Sequence, residues 1–173
     1  MKIATILSRI LFLAMTVIIC SGFVLVGKGY LVYREAVGEI SLEEKVASIQ
    51  EKEDFTEYEE LPEVYVNAVV AVEDKRFYSH FGVDPIAICR AILHDIQAGR
   101  YVEGGSTITQ QLAKNLYFSQ EKELTRKIAE VFVAFDLEKN YSKEDIFELY
   151  VNSIYFGDGY YSVGSASSGY FGK

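Results

Sequence analysis

The hydrophobic pattern of the chain opens with eighteen residues, Ile10 to Gly27, that carry no charge and are bracketed by Arg9 and Lys28. At about 1.5 Å rise per residue such a helix is roughly 27 Å long, enough to cross a bilayer, with the flanking cations reaching the headgroups. No small-x-small cleavage site follows, so a retained anchor over residues 1–30 is expected in preference to a cleaved leader. Lys2 and Arg9 before the helix and Lys28 and Arg34 after it leave its orientation open on charge alone. Beyond it the apolar positions take helical spacing. Leu42, Val46 and Ile49 predict a short helix that dissolves into charge, within an acidic, solvated linker over 31–61. From Pro62, tolerated in a first turn, Val64, Ala68, Val69 and Val72 carry a stripe to a helix end near Asp74. Further helices are predicted over 84–98, 107–117, 121–139 and 142–152, the last with Ser142 as its cap and Asp145 in its first turn. Strand-like alternation is hard to find, and the Gly-, Ser- and Tyr-rich residues from Tyr155 onward predict irregular structure.

Composition narrows the classes. Half of the 173 residues are hydrophobic and 14% are aromatic, which supports a packed core and excludes a disordered tail. Residues 35–63 hold eleven acids against Lys45 and Lys52, a local balance of −9 within a total of −8, so the rest is nearly neutral and nucleic acid is not an expected partner. Cys20 lies in the apolar run and Cys89 in an IAICRAIL stretch that reads as a buried helix face, so no disulfide framework follows. His80 and His94, the only histidines, belong to no zinc pattern.

Three stretches carry chemistry. In NAVVAVEDKRFYSHFG, a continuing helix would give Glu73 the neighbours Val69, Val70, Arg76 and Phe77, apolar on one side and cationic on the other. A carboxylate between those pulls suits a general base, and equally a helix-end acid paired with Arg76. In EGGSTITQQLAKN, Thr107 and Gln110 have capping-box spacing. Gly104, Gly105 and Ser106 lead into a face with Thr107, Gln111 and Lys114, whose hydroxyls, ammonium and free backbone N–H groups compose an anion site at a helix N-terminus. In LTRKIAEVFVAF, Arg126 and Lys127 stand four and three residues before Glu130, and Leu124, Ile128, Val131 and Phe135 form the apolar stripe. As surface ion pairs these would be worth about 0.3–0.5 kcal/mol each. Two carboxylates and three cations behind a membrane anchor suit a lipid-borne phosphate substrate.

In order, VEDKRFYSHFGVD, GGSTITQQLAKN, TRKIAE, YSKEDIFELYVN and YFGDGYY resemble the five motifs of the peptidoglycan glycosyltransferases, over roughly residues 55–173. The chain resembles a monofunctional transglycosylase or the front of a bifunctional class A penicillin-binding protein. The resemblance implies an all-α, lysozyme-like domain over 62–173 that polymerises lipid II on the outer side of the cytoplasmic membrane, as a single-pass membrane protein of cell-wall synthesis among other proteins of that process. It implies that Glu73 deprotonates the acceptor 4-hydroxyl and that Glu130 assists on the donor side. Lys114, Arg126 and Lys127 would neutralise the departing pyrophosphate, and Ser106, Thr107 and Gln111 would line its site. A divalent cation, magnesium or manganese, would help hold the pyrophosphate, with Glu130 its candidate ligand. Asp74, Phe77 and His80 would shape the substrate site, and Tyr150 and Asn152 would brace the fold. One-step displacement of pyrophosphate inverts the anomeric centre, and needs charge stabilisation more than acid help.

The sequence departs from the family pattern where SVGSASSGYFGK carries no acid after the YFG segment, and the family continues beyond the point corresponding to Lys173. Two other readings follow: a lysozyme-type hydrolase, which also sets two carboxylates across a glycosidic bond, and a non-catalytic fragment that binds lipid II.

Overall fold

The computed structural model describes residues 2–102, 104–118 and 123–172, without the side chains of 2–5. Among them there is no strand, only two isolated bridges, Phe81 with Val83 and Gly157 with Tyr160, so the architecture is all-α as expected. The first helix, α1 (Lys2–Glu39), is far longer than the predicted span. Its outer part exposes Leu11, Phe12, Ile18 and Phe23, and it is long and apolar enough to cross a membrane. Its inner part does not run into a linker. It packs on α6 (Leu124–Asn140), where Tyr30, Tyr33 and Phe132 cluster with ring centroids 5.3–5.6 Å apart. The Tyr33 hydroxyl donates to Asp136 Oδ2 at 2.6 Å. Gly29 makes the crossing possible, since a Cβ there would meet Ile128 Cγ2 at 2.5 Å.

The acidic stretch is likewise built into the domain. Ser41 and Glu44 form a capping box that starts α2 (Leu42–Gln50), and Leu42, Val46 and Ile49 are buried in the core. The acids face water while the apolar stripe faces inward, so charge density alone misread residues 31–61 as solvated. A 3₁₀ turn at Tyr58–Glu60 is held where the Tyr58 N–H donates to Glu148 Oε2 at 2.6 Å.

Helix α3 (Glu63–Glu73) ends as expected, and α4 (Pro85–Ala98) starts at the Asp84 cap with proline in its first turn. Only Ala91 of α4 is buried, and Cys89 is exposed, contrary to the expected buried face. The centre of the core is α5 (Ile108–Tyr117), packed between α6 and α7 (Lys143–Val151). Ile108, Leu112, Val133, Leu137, Ile146 and Phe147 meet there with no exposed surface. Leu124 and Phe135, placed on the predicted stripe of α6, are instead exposed, as are Val64 and Val72 on α3. The predicted start of α6 at residues 121 and 122 lies outside the described residues.

Asn152 braces the fold as expected. Its side chain accepts from the Thr56 N–H at 3.0 Å and donates to the Thr56 carbonyl at 2.8 Å. The expectation of irregular structure after Tyr155 is corrected by α8 (Val163–Phe171), which starts from a Ser162–Ser165 capping box. Its small residues suit close packing more than intrinsic helicity. A Cβ at Gly164 would lie 2.5 Å from the Asp54 carbonyl oxygen, and the Ser162 hydroxyl is bonded to the Asp54 carboxylate.

The α1–α6 crossing predicts that Gly29→Val lowers the unfolding midpoint of the detergent-solubilised chain, at an overpacking cost of about 1–3 kcal/mol. Gly22→Val, with nothing within 4 Å of its added Cβ, leaves the midpoint where it was in the same melting experiment.

Candidate active site

The chain turns sharply after Glu73, so Arg76 and Phe77 are not its helical neighbours. Asp74 closes α3, and its buried Oδ2 accepts from the Ile108 N–H at 3.0 Å and pairs with His80 Nε2 at 2.9 Å. This carboxylate therefore sits on the first turn of α5, where backbone N–H groups and the helix dipole favour an anion. Two further N–H groups at this helix start are also engaged. Thr107 Oγ1 accepts from the Gln110 N–H at 3.1 Å, and Gln110 Oε1 accepts from the Thr107 N–H at 3.2 Å. The anion site expected at this helix start is filled by the protein's own Asp74.

Because α3 and α5 are tied there, Glu73 reaches Gln111 one turn along α5. The Gln111 side-chain N–H donates to Glu73 Oε2 at 2.9 Å, and the Tyr150 hydroxyl donates to the other end of the same amide at 3.2 Å. Arg76 does not pair with Glu73. Its guanidinium lies 3.0 Å from Asp84 Oδ2, so the bland alternative for Glu73 is not realised. Glu73 is exposed at the edge of a cleft of about 500 Å³, walled by Asp74, Lys75, Arg76, Asp84, Arg90, Gly104, Gly105, Ser106, Thr107 and Gln111.

A second groove, about 410 Å³, shares Gly105 and Ser106 with the first. It is mostly apolar, with Ile88, Ile92, Leu124, Ile128 and Val131 on its walls and Lys127 at its edge. The loop lies close on α4 at this point, since a Cβ on Gly105 would be 3.1 Å from Ile88 Cα. Lys127 Nζ donates to Ser106 Oγ at 2.7 Å and to Glu130 Oε2 at 2.8 Å, and Arg126 Nη1 bonds the other Glu130 oxygen.

The structure thus brings together Glu73, Asp74, Ser106, Thr107 and Gln111 at one cleft, with Lys127 beside it. Other expected site residues are placed differently. Glu130 has no exposed surface and both oxygens are matched by cations, so it does not face a substrate. Phe77 is fully buried against Phe147, beneath Lys143 Nζ at 4.5 Å from its ring, and His80 is buried behind Asp74. The Thr107 hydroxyl points inward, donating to the Gly82 carbonyl at 2.6 Å. Lys114 lies on the last turn of α5 and does not line the first cleft. Sequence reasoning missed Lys75, Asp84 and Arg90. The Asp-Pro pair at 84–85 was the available signal, because a capped helix starting there returns Arg90 toward the turn that carries Lys75 and Arg76.

Burial alone would push the Asp84 carboxyl up. The backbone N–H groups of Ala87 and Ile86 and the nearby Arg76 and His80 outweigh it and hold the carboxyl below its ordinary value of 3.8. Burial, and then the charge of Glu73, push the Tyr150 phenol well above its ordinary value.

Comparison with known proteins gives the lineage of this arrangement, since residues 42–173 match the transglycosylase family. The chain belongs to that family. It is 50% identical over 123 residues to penicillin-binding protein 1A of Aquifex aeolicus, covering 71% of this chain and 17% of that protein. It is 47% identical over 131 residues to penicillin-binding protein 1F of Bacillus subtilis, covering 75% and 18%. Penicillin-binding protein 1A of Vibrio cholerae is 49% identical over 115 residues, covering 66% and 14%. The chain therefore spans about a sixth of the length of these relatives. The transglycosylase match begins at Leu42, so α2 belongs to the family's domain, in keeping with its burial.

Asp84 supplies a pH prediction. A carboxyl held below its unfolded value stabilises the fold above the ordinary carboxylate range, and that contribution is lost as pH falls through the depressed value. Asp84→Asn should therefore lower the melting midpoint at neutral pH, with the difference from the parent shrinking below about pH 3.8, where unfolded aspartate protonates.

Proposed function

We propose that this transglycosylase polymerises lipid II, with Glu73 as the general base that takes the proton from the acceptor 4-hydroxyl. The observation that carries the reading is the Glu73 carboxylate itself, exposed in a polar cleft and oriented by the Gln111 amide, 2.9 Å away. A base must be accessible to the proton it abstracts, and of the two expected carboxylates Glu73 is exposed while Glu130 is buried.

The acceptor sugar occupies the first cleft in this reading, and the donor's pyrophosphate leaves toward Lys127 and Arg126. Glu130 then acts through those cations, holding them at a fixed separation, and is a positioning residue. Fixed charges of this kind stabilise a departing pyrophosphate without reorganising during the reaction. The second, apolar groove is suited to the polyprenyl chain beside it. We place α1 across the cytoplasmic membrane with the domain on its outer face, where lipid II is presented; other proteins of cell-wall synthesis are its expected partners.

Glu130 does not fit a metal, since both its oxygens are taken by cations, and among the described residues no three His, Cys, Asp or Glu side chains cluster as a metal site. A magnesium or manganese ion would have to be held chiefly by pyrophosphate oxygens and water.

Incubating the detergent-solubilised chain with labelled lipid II and a divalent cation should give a ladder of glycan on a gel. Glu73→Gln is expected to lower the rate by at least about 100-fold while leaving lipid II binding within a few-fold. Ladder formation undiminished by that substitution would remove Glu73 from the role. Lys127→Ala should lower kcat about 100- to 1,000-fold, as loss of one preorganised donor does.

A further inference from the structure

Glu73 lies at the outer end of a hydrogen-bond chain that begins in the core. Tyr150, on α7, is 3% exposed and packs beside Phe147 in a tilted arrangement, 6.4 Å between centroids. Phenylalanine would fill that space equally well, so the hydroxyl needs its own account. It donates to Gln111 Oε1 at 3.2 Å, and Gln111 Nε2 donates to Glu73 Oε2 at 2.9 Å.

A primary amide has one accepting end and one donating end. With the accepting end held by a hydroxyl, the donating end faces the carboxylate, which is the orientation an ionised Glu73 requires. The flipped amide would set a carbonyl oxygen against a carboxylate oxygen. We propose that Tyr150 is a positioning residue for the base: its hydroxyl fixes the Gln111 amide so that the amide N–H faces the Glu73 carboxylate and keeps it aimed into the cleft. This rests on the reading of Glu73 as the base. The Tyr150 phenol keeps its proton throughout the neutral range because burial and the charge of Glu73 both oppose its ionisation. The charged groups that share the cleft with Glu73 are Asp74, Lys75 and Arg76 from the turn after α3, and Asp84 and Arg90 from α4. The Gln111 amide bonds both the Tyr150 hydroxyl and the Glu73 carboxylate, so removing the hydroxyl acts on Glu73 through the amide.

The test is Tyr150→Phe in the full detergent-solubilised chain, with lipid II as the probe. The expected result is a kcat about three- to tenfold lower with KM within twofold, the loss of one hydrogen bond, and an acidic limb of the pH–rate profile moved to higher pH. In a Gln111→Leu background the same substitution should have no further effect. A mere packing role predicts equal losses in both backgrounds and an unmoved limb, and either finding overturns the proposal. An inactive Glu73→Gln beside an unaffected Tyr150→Phe defeats the relay and leaves the base intact, whereas an active Glu73→Gln defeats the base reading. If Tyr150→Phe does not fold, 3-fluorotyrosine at position 150 keeps the ring and strengthens the donor, and should move the limb to lower pH; no movement counts against the relay. Independently of turnover, the side-chain amide nitrogen resonance of Gln111 should shift in both Tyr150→Phe and Glu73→Gln, and indifference to both refutes the hydrogen-bond chain.

Discussion

The Asp74 carboxylate joins two segments that are more than thirty residues apart, accepting from the N–H that opens α5 while holding His80 beside it. The backbone N–H of the same residue closes α3 immediately after Glu73, donating to the Val70 carbonyl at 3.0 Å. From that junction the rest of the site follows. Glu73 is delivered to Gln111, one turn into α5, and Gln111 to Tyr150 on α7. Because Asp74 occupies the positive end of α5, the positive charge around the two grooves comes from side chains. Those stand on the turn after α3, on α4 and on α6.

The cations of α6 are arranged by a buried acid. A carboxylate with no exposed surface is tolerated only when its charge is matched, and Arg126 and Lys127 match both oxygens of Glu130. The same helix receives α1 across Gly29, with Tyr33 bonded to Asp136. An apolar helix long enough to cross a membrane is thus packed on the helix that carries the cations, and the second groove opens along that helix. Apolar helix, cations and apolar groove form one continuous arrangement.

Much of this was legible in the sequence. The starts of α5 and α7 were marked by Thr107 with Gln110 and Ser142 with Asp145, both local capping patterns, and the apolar stripe of α3 ran out near Asp74 where the helix ends. What depends on distant partners was not legible. The acids of α2 suggested a solvated linker although Leu42, Val46 and Ile49 join the core, and Gly and Ser suggested a loop where α8 packs on Asp54. Arg76 was assigned to Glu73 by helical spacing, but the helix stops first and Asp84 takes it. Glu130 read as a second reacting carboxylate because spacing shows which charges are near it and says nothing of its burial. Gln111 was named, while its link to Tyr150 crosses from α5 to α7 and has no sequence signature.

The central claim is a single displacement, in which one accessible base activates the acceptor and fixed cations receive the pyrophosphate. The stereochemistry of the new glycosidic bond tests this most directly. Nuclear magnetic resonance of glycan made by the chain from isotopically labelled lipid II would report the anomeric configuration. Inversion relative to the lipid-linked donor is the predicted result. Retention would require a second substrate-facing nucleophile and two successive displacements, and would contradict the account.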